Sequence, residues 1–108
     1  MDNSYALTEA VYYILLSLCS PQHGYGIMQQ TEQMSGGRVH LAAGTLYGAL
    51  NNLCTKGWIK PLPNEMGSRK KEYQITERGR QILSMELVRL RQLVANGETV
   101  LGGTENEK

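Results

Sequence analysis

A mainly α-helical domain with one small β-hairpin and a long C-terminal helix is the fold this sequence predicts, on three observations. Apolar residues recur at helical spacing in four separate stretches, the last of them the longest. One short segment, Glu72-Tyr73-Gln74-Ile75, alternates polar with apolar as a half-buried strand does. A chain of 108 residues, 41% of them apolar, suits one domain with a modest core. With no Phe and one Trp, that core must be built from Leu, Ile, Val, Met and Tyr.

The first helix spans Leu7 to Cys19, where Leu7, Val11, Ile14, Leu15 and Leu18 make one apolar face. Thr8 is its N-cap, Glu9 favours the positive end of its dipole, and Ser20-Pro21-Gln22-His23-Gly24 ends it. The second is YGIMQQTEQM, stopped by Ser35-Gly36-Gly37. The third is AAGTLYGALNNLCTKG: with Leu46 at the centre of the wheel, Ala49, Leu50, Leu53 and Gly57 fall on the buried side. Gly44, Gly48, Asn51, Asn52 and Thr55 lie opposite, an outer face that is small, polar and uncharged where a solvated helix ordinarily carries Glu and Lys.

After Gly57 the period changes. Trp58-Ile59-Lys60 opens a strand, Pro61 to Ser68 is loop, and Glu72 to Ile75 returns as the second strand of a hairpin with a long cationic tip. Thr76 then caps a helix whose first residue is Glu77 and which runs to about Asn96, with a frayed tail beyond. Its Leu83, Leu87, Leu90 and Val94 follow the four-three-four spacing of a coiled-coil seam, and a helix this long outruns a three-helix core, so the seam predicts a homodimer. The expected division is residues 1–75, holding the three helices and the hairpin, and residues 76–108, the dimerisation helix with its tail, in one compact unit.

Charge is unevenly spread. Residues 1–37 carry −3, residues 38–80 carry +5 and residues 81–108 carry −1. A basic middle favours an anionic partner. Cys19 and Cys54 both fall on apolar helical stripes and read as buried reduced thiols, not a disulfide framework. No metal-ligand spacing, nucleotide-binding glycine loop or nucleophile–base–acid set is present, so neither metal, cofactor nor enzyme is expected. The absence of a signal-peptide pattern or a long apolar run makes the cytoplasm the expected compartment, with no membrane partner.

Three helices, the third with a small polar outer face, then a hairpin with a cationic tip, are the parts of a winged helix-turn-helix. Each part suits duplex DNA. A helix presenting Gly44, Gly48 and Asn51 enters a major groove without bulk, and Asn pairs bidentately with adenine. The Arg69-Lys70-Lys71 tip supplies phosphate contacts. Strand alternation puts Lys71 on the same side as Tyr73 and Ile75, so it either covers the hairpin or reaches DNA. Tyr47, about 100° from the centre of the buried face, either packs beneath the helix or meets a phosphate.

The stretches LTEAVYYILLSL, HGYGI, GTLYGALNNLCTKGWI and GSRKKEYQITERG, in that order and spacing over roughly residues 5–96, resemble the PadR-type transcriptional regulators. The resemblance implies a homodimeric winged-helix repressor of the compact subfamily with a single C-terminal dimerisation helix. It implies an inverted-repeat operator in double-stranded DNA and release by a small apolar or aromatic effector whose site the sequence does not name. It also implies that Thr45 and Tyr47 place hydroxyls near the DNA backbone, that Gly48 permits close approach, and that Ser68, Arg69 and Lys70 form the wing tip. Asn51 and Asn52 stand where many such relatives carry Lys or Arg, which moves the electrostatic burden to the wing. The rival reading is a winged-helix protein–protein module that binds an acidic partner.

Overall fold

Local capping chemistry sets the element boundaries in the computed structural model, which describes residues 6–63 and 70–102. Thr8 is extended, and its hydroxyl accepts the Val11 N–H at 3.1 Å, so helix α1 runs Glu9–Ser17. Two extended residues, Gln22–His23, form strand β1 and lead directly into α2, Gly24–Met34. Here His23 is the cap, its Nδ1 accepting the Gly26 N–H at 3.3 Å. Helix α3 spans Ala43–Thr55. Gly57 does not sit on its buried side as the wheel predicts. It lies past the helix end, exposed, at φ 77°, where it reverses the chain into strand β2, Ile59–Pro61.

Strand β3 is Glu72–Ile75, and α4 is Glu77–Gly97. The sheet has three antiparallel strands in the order β1-β3-β2, where the sequence predicts a two-stranded hairpin. The additional strand arises because Gln22 and His23, extended ahead of α2, pair with Tyr73 and Glu72. Beyond Gly97 the chain continues in a π-helical turn, Glu98–Gly102, rather than fraying at once. No helix of the described residues is long and apolar enough to cross a membrane.

The core collects one face of each helix. Ile14, Leu15 and Leu18 from α1 and its end, Ile27 from α2, Leu46 and Leu50 from α3, Ile59 from β2 and Ile82 from α4 are buried together. Each such Leu or Ile contributes ~1.5–3 kcal/mol through burial. The junction between β3 and α4 is tied down on three sides. The Ile75 N–H donates to the Leu18 carbonyl at 2.8 Å, and the Thr76 N–H to the Trp58 carbonyl at 2.9 Å. The Thr76 hydroxyl donates to the Gly57 carbonyl at 2.6 Å while accepting the Gly79 N–H at 3.1 Å. Gly79 is required there, because a Cβ would overlap the Trp58 carbonyl oxygen and fall 2.7 Å from Ile75 Cγ1.

A buried carboxylate joins α4 to the start of α1. Glu86, 2% exposed, accepts two hydrogen bonds from the Arg89 guanidinium, each at 2.7 Å, and one from the Leu7 N–H at 3.2 Å. The Arg89 hydrogen bonds, aided by the Leu7 amide, hold its carboxyl below the usual carboxylate range against the opposing effect of burial. Past Leu90, α4 leaves the body of the domain, and residues 91–100 are all exposed.

Candidate nucleic-acid interface

The third helix shows why its outer residues are small. Leu46, Leu50 and Leu53 are buried, which turns Thr45, Tyr47, Gly48 and Asn51 outward, all exposed. A Cβ at Gly44 or Gly48 would meet no atom of the described residues within 4 Å. Neither glycine has a positive φ. In the helix interior Gly48 therefore costs about 0.5–1 kcal/mol relative to Ala, and neither glycine is demanded by an internal contact among the described residues. The first turn has no side-chain cap, since Ala42 occupies that position, so its first amide donors receive no acceptor from the cap residue.

Tyr47 is both packed and exposed. Its ring is 48% exposed, yet its hydroxyl end lies against Gly24 at the start of α2, where a Cβ would sit 2.9 Å from Tyr47 Cζ. Gly24 is small because Tyr47 crosses it. The HGYGI and GTLYG stretches are thus two halves of one helix–helix contact. Beside them Tyr25, 62% exposed, projects from the first turn of α2. Sequence reasoning passed over Tyr25; an aromatic two residues after a helix cap was the available signal.

The wing base borders the same region. Tyr73 faces inward from β3, and burial, with Cys54 and Tyr47 close by, raises its phenol above the ordinary range. Lys71 turns down onto the hairpin, its Nζ 5.9 Å from the Tyr73 ring centroid. Lys70 is exposed at the foot of the strand. Ser68 and Arg69 lie outside the described residues.

The four seam residues of α4 divide. Leu83 packs against the core of its own chain and Leu90 is half-buried, whereas Leu87 and Val94 are 39% and 58% exposed. The seam runs along the edge of the buried face rather than opposite it. Val88 and Leu93 of α4, with Val100 and Leu101 of the π-helical turn that follows it, add exposed apolar surface. Cys19 and Cys54 are free and half-buried, and among the described residues no group of three metal-ligating side chains occurs.

The transcriptional regulator PadR-like family matches residues 13–85. A curated relative, an uncharacterized 37.1 kDa protein of a Streptomyces fradiae transposon, is 41% identical over 76 residues. That match covers 67% of this chain but 21% of the relative, so the chain spans about a fifth of the relative's length. A transcriptional regulator from Clostridium thermocellum is similar in structure, with a TM-score of 0.66 and 28% identity over 82% of this chain and 92% of that one. Bacillus subtilis PadR in complex with operator DNA gives a TM-score of 0.61 and 26% identity over 72% of this chain and 46% of that one.

Proposed function

The chain belongs to the PadR-like family of transcriptional regulators, and from that premise we propose that it is a homodimeric repressor that binds an inverted-repeat operator and is released by a small effector. Helix α3 of each subunit enters a major groove, the two grooves lying about one helical turn apart, and the wings grip the flanking backbone. The observation that carries this reading is the pair Gly44 and Gly48. Both are exposed on α3, Gly44 in its first turn and Gly48 in its middle, with open space around them, so their smallness serves something outside the chain. DNA fits that requirement. A protein interface is instead enriched in aromatic anchors, and α3 offers only Tyr47 there.

Asn51 is the base reader in this arrangement, one turn beyond Gly48 on the same exposed face. Thr45, Tyr47 and the uncapped first turn of α3 meet phosphates, as do Ser68, Arg69 and Lys70 of the wing. Dimerisation uses α4, with Leu87 and Val94 at the centre of the contact and Leu83 and Leu90 shared between it and the core.

The test is fluorescence anisotropy with the duplex upstream of the protein's own gene, titrated at several salt concentrations. Changing Arg69 and Lys70 together to Ala weakens binding to every duplex about equally and flattens the salt dependence by roughly two phosphate contacts. Asn51→Ala costs about 1–3 kcal/mol at the preferred site and little elsewhere. An unchanged salt slope removes the wing from the mechanism. Binding to an acidic protein partner with no affinity for any duplex establishes the rival reading.

A further inference from the structure

Between the first turn of α1 and the second half of α3 lies an open groove of about 630 Å³, within the range of small-molecule sites. Its floor is apolar, made by Leu53 and Trp58, which are 3% and 6% exposed. Leu7 and Val11 extend that surface along α1. Among the described residues that line the groove, Lys56 is the only charged one. Lys56 is exposed, and its Nζ lies 5.0 Å from the Trp58 ring centroid, which places the cation against the groove edge. The N-terminal end of α1, with its positive dipole, opens on the same space through Thr8.

One apolar floor with positive charge at its margin selects a ligand of matching polarity. A cation is repelled by Lys56, and a neutral apolar molecule gains nothing from it. An anion without an apolar body leaves the floor wet. The groove also shares Gly48 and Asn52 with the exposed face of α3, so an occupant stands where that helix must approach DNA.

We propose that this groove binds a small amphipathic monoanion, its apolar body on Leu53 and Trp58 and its anionic head at Lys56, and that occupancy and DNA binding exclude one another. The binding half stands on the groove alone; the exclusion half rests on the DNA reading of α3.

Trp58 is the only tryptophan of the chain, so its fluorescence reports the site. The probes are decanoate and decanol, which share a body and differ in the head, both used below micelle formation. Decanoate changes Trp58 emission saturably and binds about five- to tenfold more tightly than decanol, the value of one charge-assisted contact. Lys56→Met brings decanoate down to the affinity of decanol and leaves decanol unchanged, while Gly48→Leu, which fills the groove from α3, weakens both. Circular dichroism establishes that the variants are folded. Equal affinities for the two probes in the unaltered protein, or a decanoate affinity indifferent to Lys56→Met, overturns the site.

In the DNA arm, saturating decanoate lowers duplex affinity at least tenfold in the unaltered protein and not in Lys56→Met at the same concentration. Decanoate bound at Lys56 with duplex affinity intact overturns the exclusion. A protein that binds no duplex in any arm refutes the reading of α3, and the fluorescence titration still decides the groove.

Discussion

Changing Gly48 to Ala should stabilise the protein and weaken its grip on DNA at the same time. Gly48 lies inside α3 with ordinary helical backbone, and an added Cβ finds open space to at least 4 Å. The substitution therefore gains the full difference in helix propensity, about 0.8–1.0 kcal/mol, with no packing term against it. For a domain of this size that is roughly 4–6 °C in melting temperature, measured by circular dichroism at fixed protein concentration because the proposed dimer would melt in a concentration-dependent way. In the proposed complex the same methyl group stands on the surface that α3 brings into the major groove, where close approach leaves no room. A tenfold loss of duplex affinity, about 1.4 kcal/mol, is expected by anisotropy. The opposite signs give the experiment its force, since a misfolded variant cannot melt later and bind less. A melting temperature that falls would mean that Gly48 is needed inside the chain. A rise with unchanged affinity would mean that this face of α3 never comes close to DNA.

Gly79→Ala makes the contrasting case: the Cβ collides with the Trp58 carbonyl and Ile75, and a net loss of about 1–3 kcal/mol in urea unfolding is expected despite the better helix former. No loss would show that the β3–α4 junction yields without cost. Glu86→Gln keeps the shape and removes the charge from a carboxylate that holds Arg89 and the Leu7 amide, and should cost about 1–3 kcal/mol at neutral pH. Because the folded carboxyl is depressed, the advantage of Glu over Gln is complete above the ordinary carboxylate value of about 4.3 and disappears as pH falls through the lower folded value. A difference constant from neutrality down to strong acid would contradict that origin. Leu87→Glu with Val94→Glu should shift sedimentation at micromolar concentration from dimer to monomer while the far-ultraviolet spectrum keeps its helical form; a dimer that survives both charges is not joined along this seam.

The features legible in the sequence are those decided within a few residues. Thr76 and Glu77 announce α4 because a cap and a change of period coincide there, and Thr8 announces α1 in the same way. The outer face of α3 was legible because Leu46, Leu50 and Leu53 fix the helix rotation, and every other position follows from it. Strand β1 was not, since Gln22 and His23 have no strand pattern and become a strand only by pairing with residues about fifty positions away. Glu86 was hidden for a related reason. A carboxylate reads as solvated, although its place one turn after Ile82 and three residues before Arg89 put it on the buried stripe with a partner beside it. The groove at Lys56 is a property of how α1 lies on α3 and has no local signature.

The anchoring of α4 has a mechanical consequence. The Thr76 hydroxyl is bonded at once to the end of the α3–β2 turn and to the first turn of α4, and the helix beyond it is 21 residues long, roughly 30 Å. Ile82, Leu83 and the buried Glu86 then hold the first half of α4 to the domain, so the part that projects as a lever arm begins past Leu90. That part extends about 10 Å beyond the body, and a tilt of about 5° moves its far end by roughly 1 Å on the geometry of such a rod. In the proposed dimer the two arms are joined, so the same tilt, taken twice, changes the distance between the paired α3 helices. The span of DNA that such a dimer could read is then set far from any base, by how firmly Ile82, Leu83 and Glu86 hold α4 to its own domain.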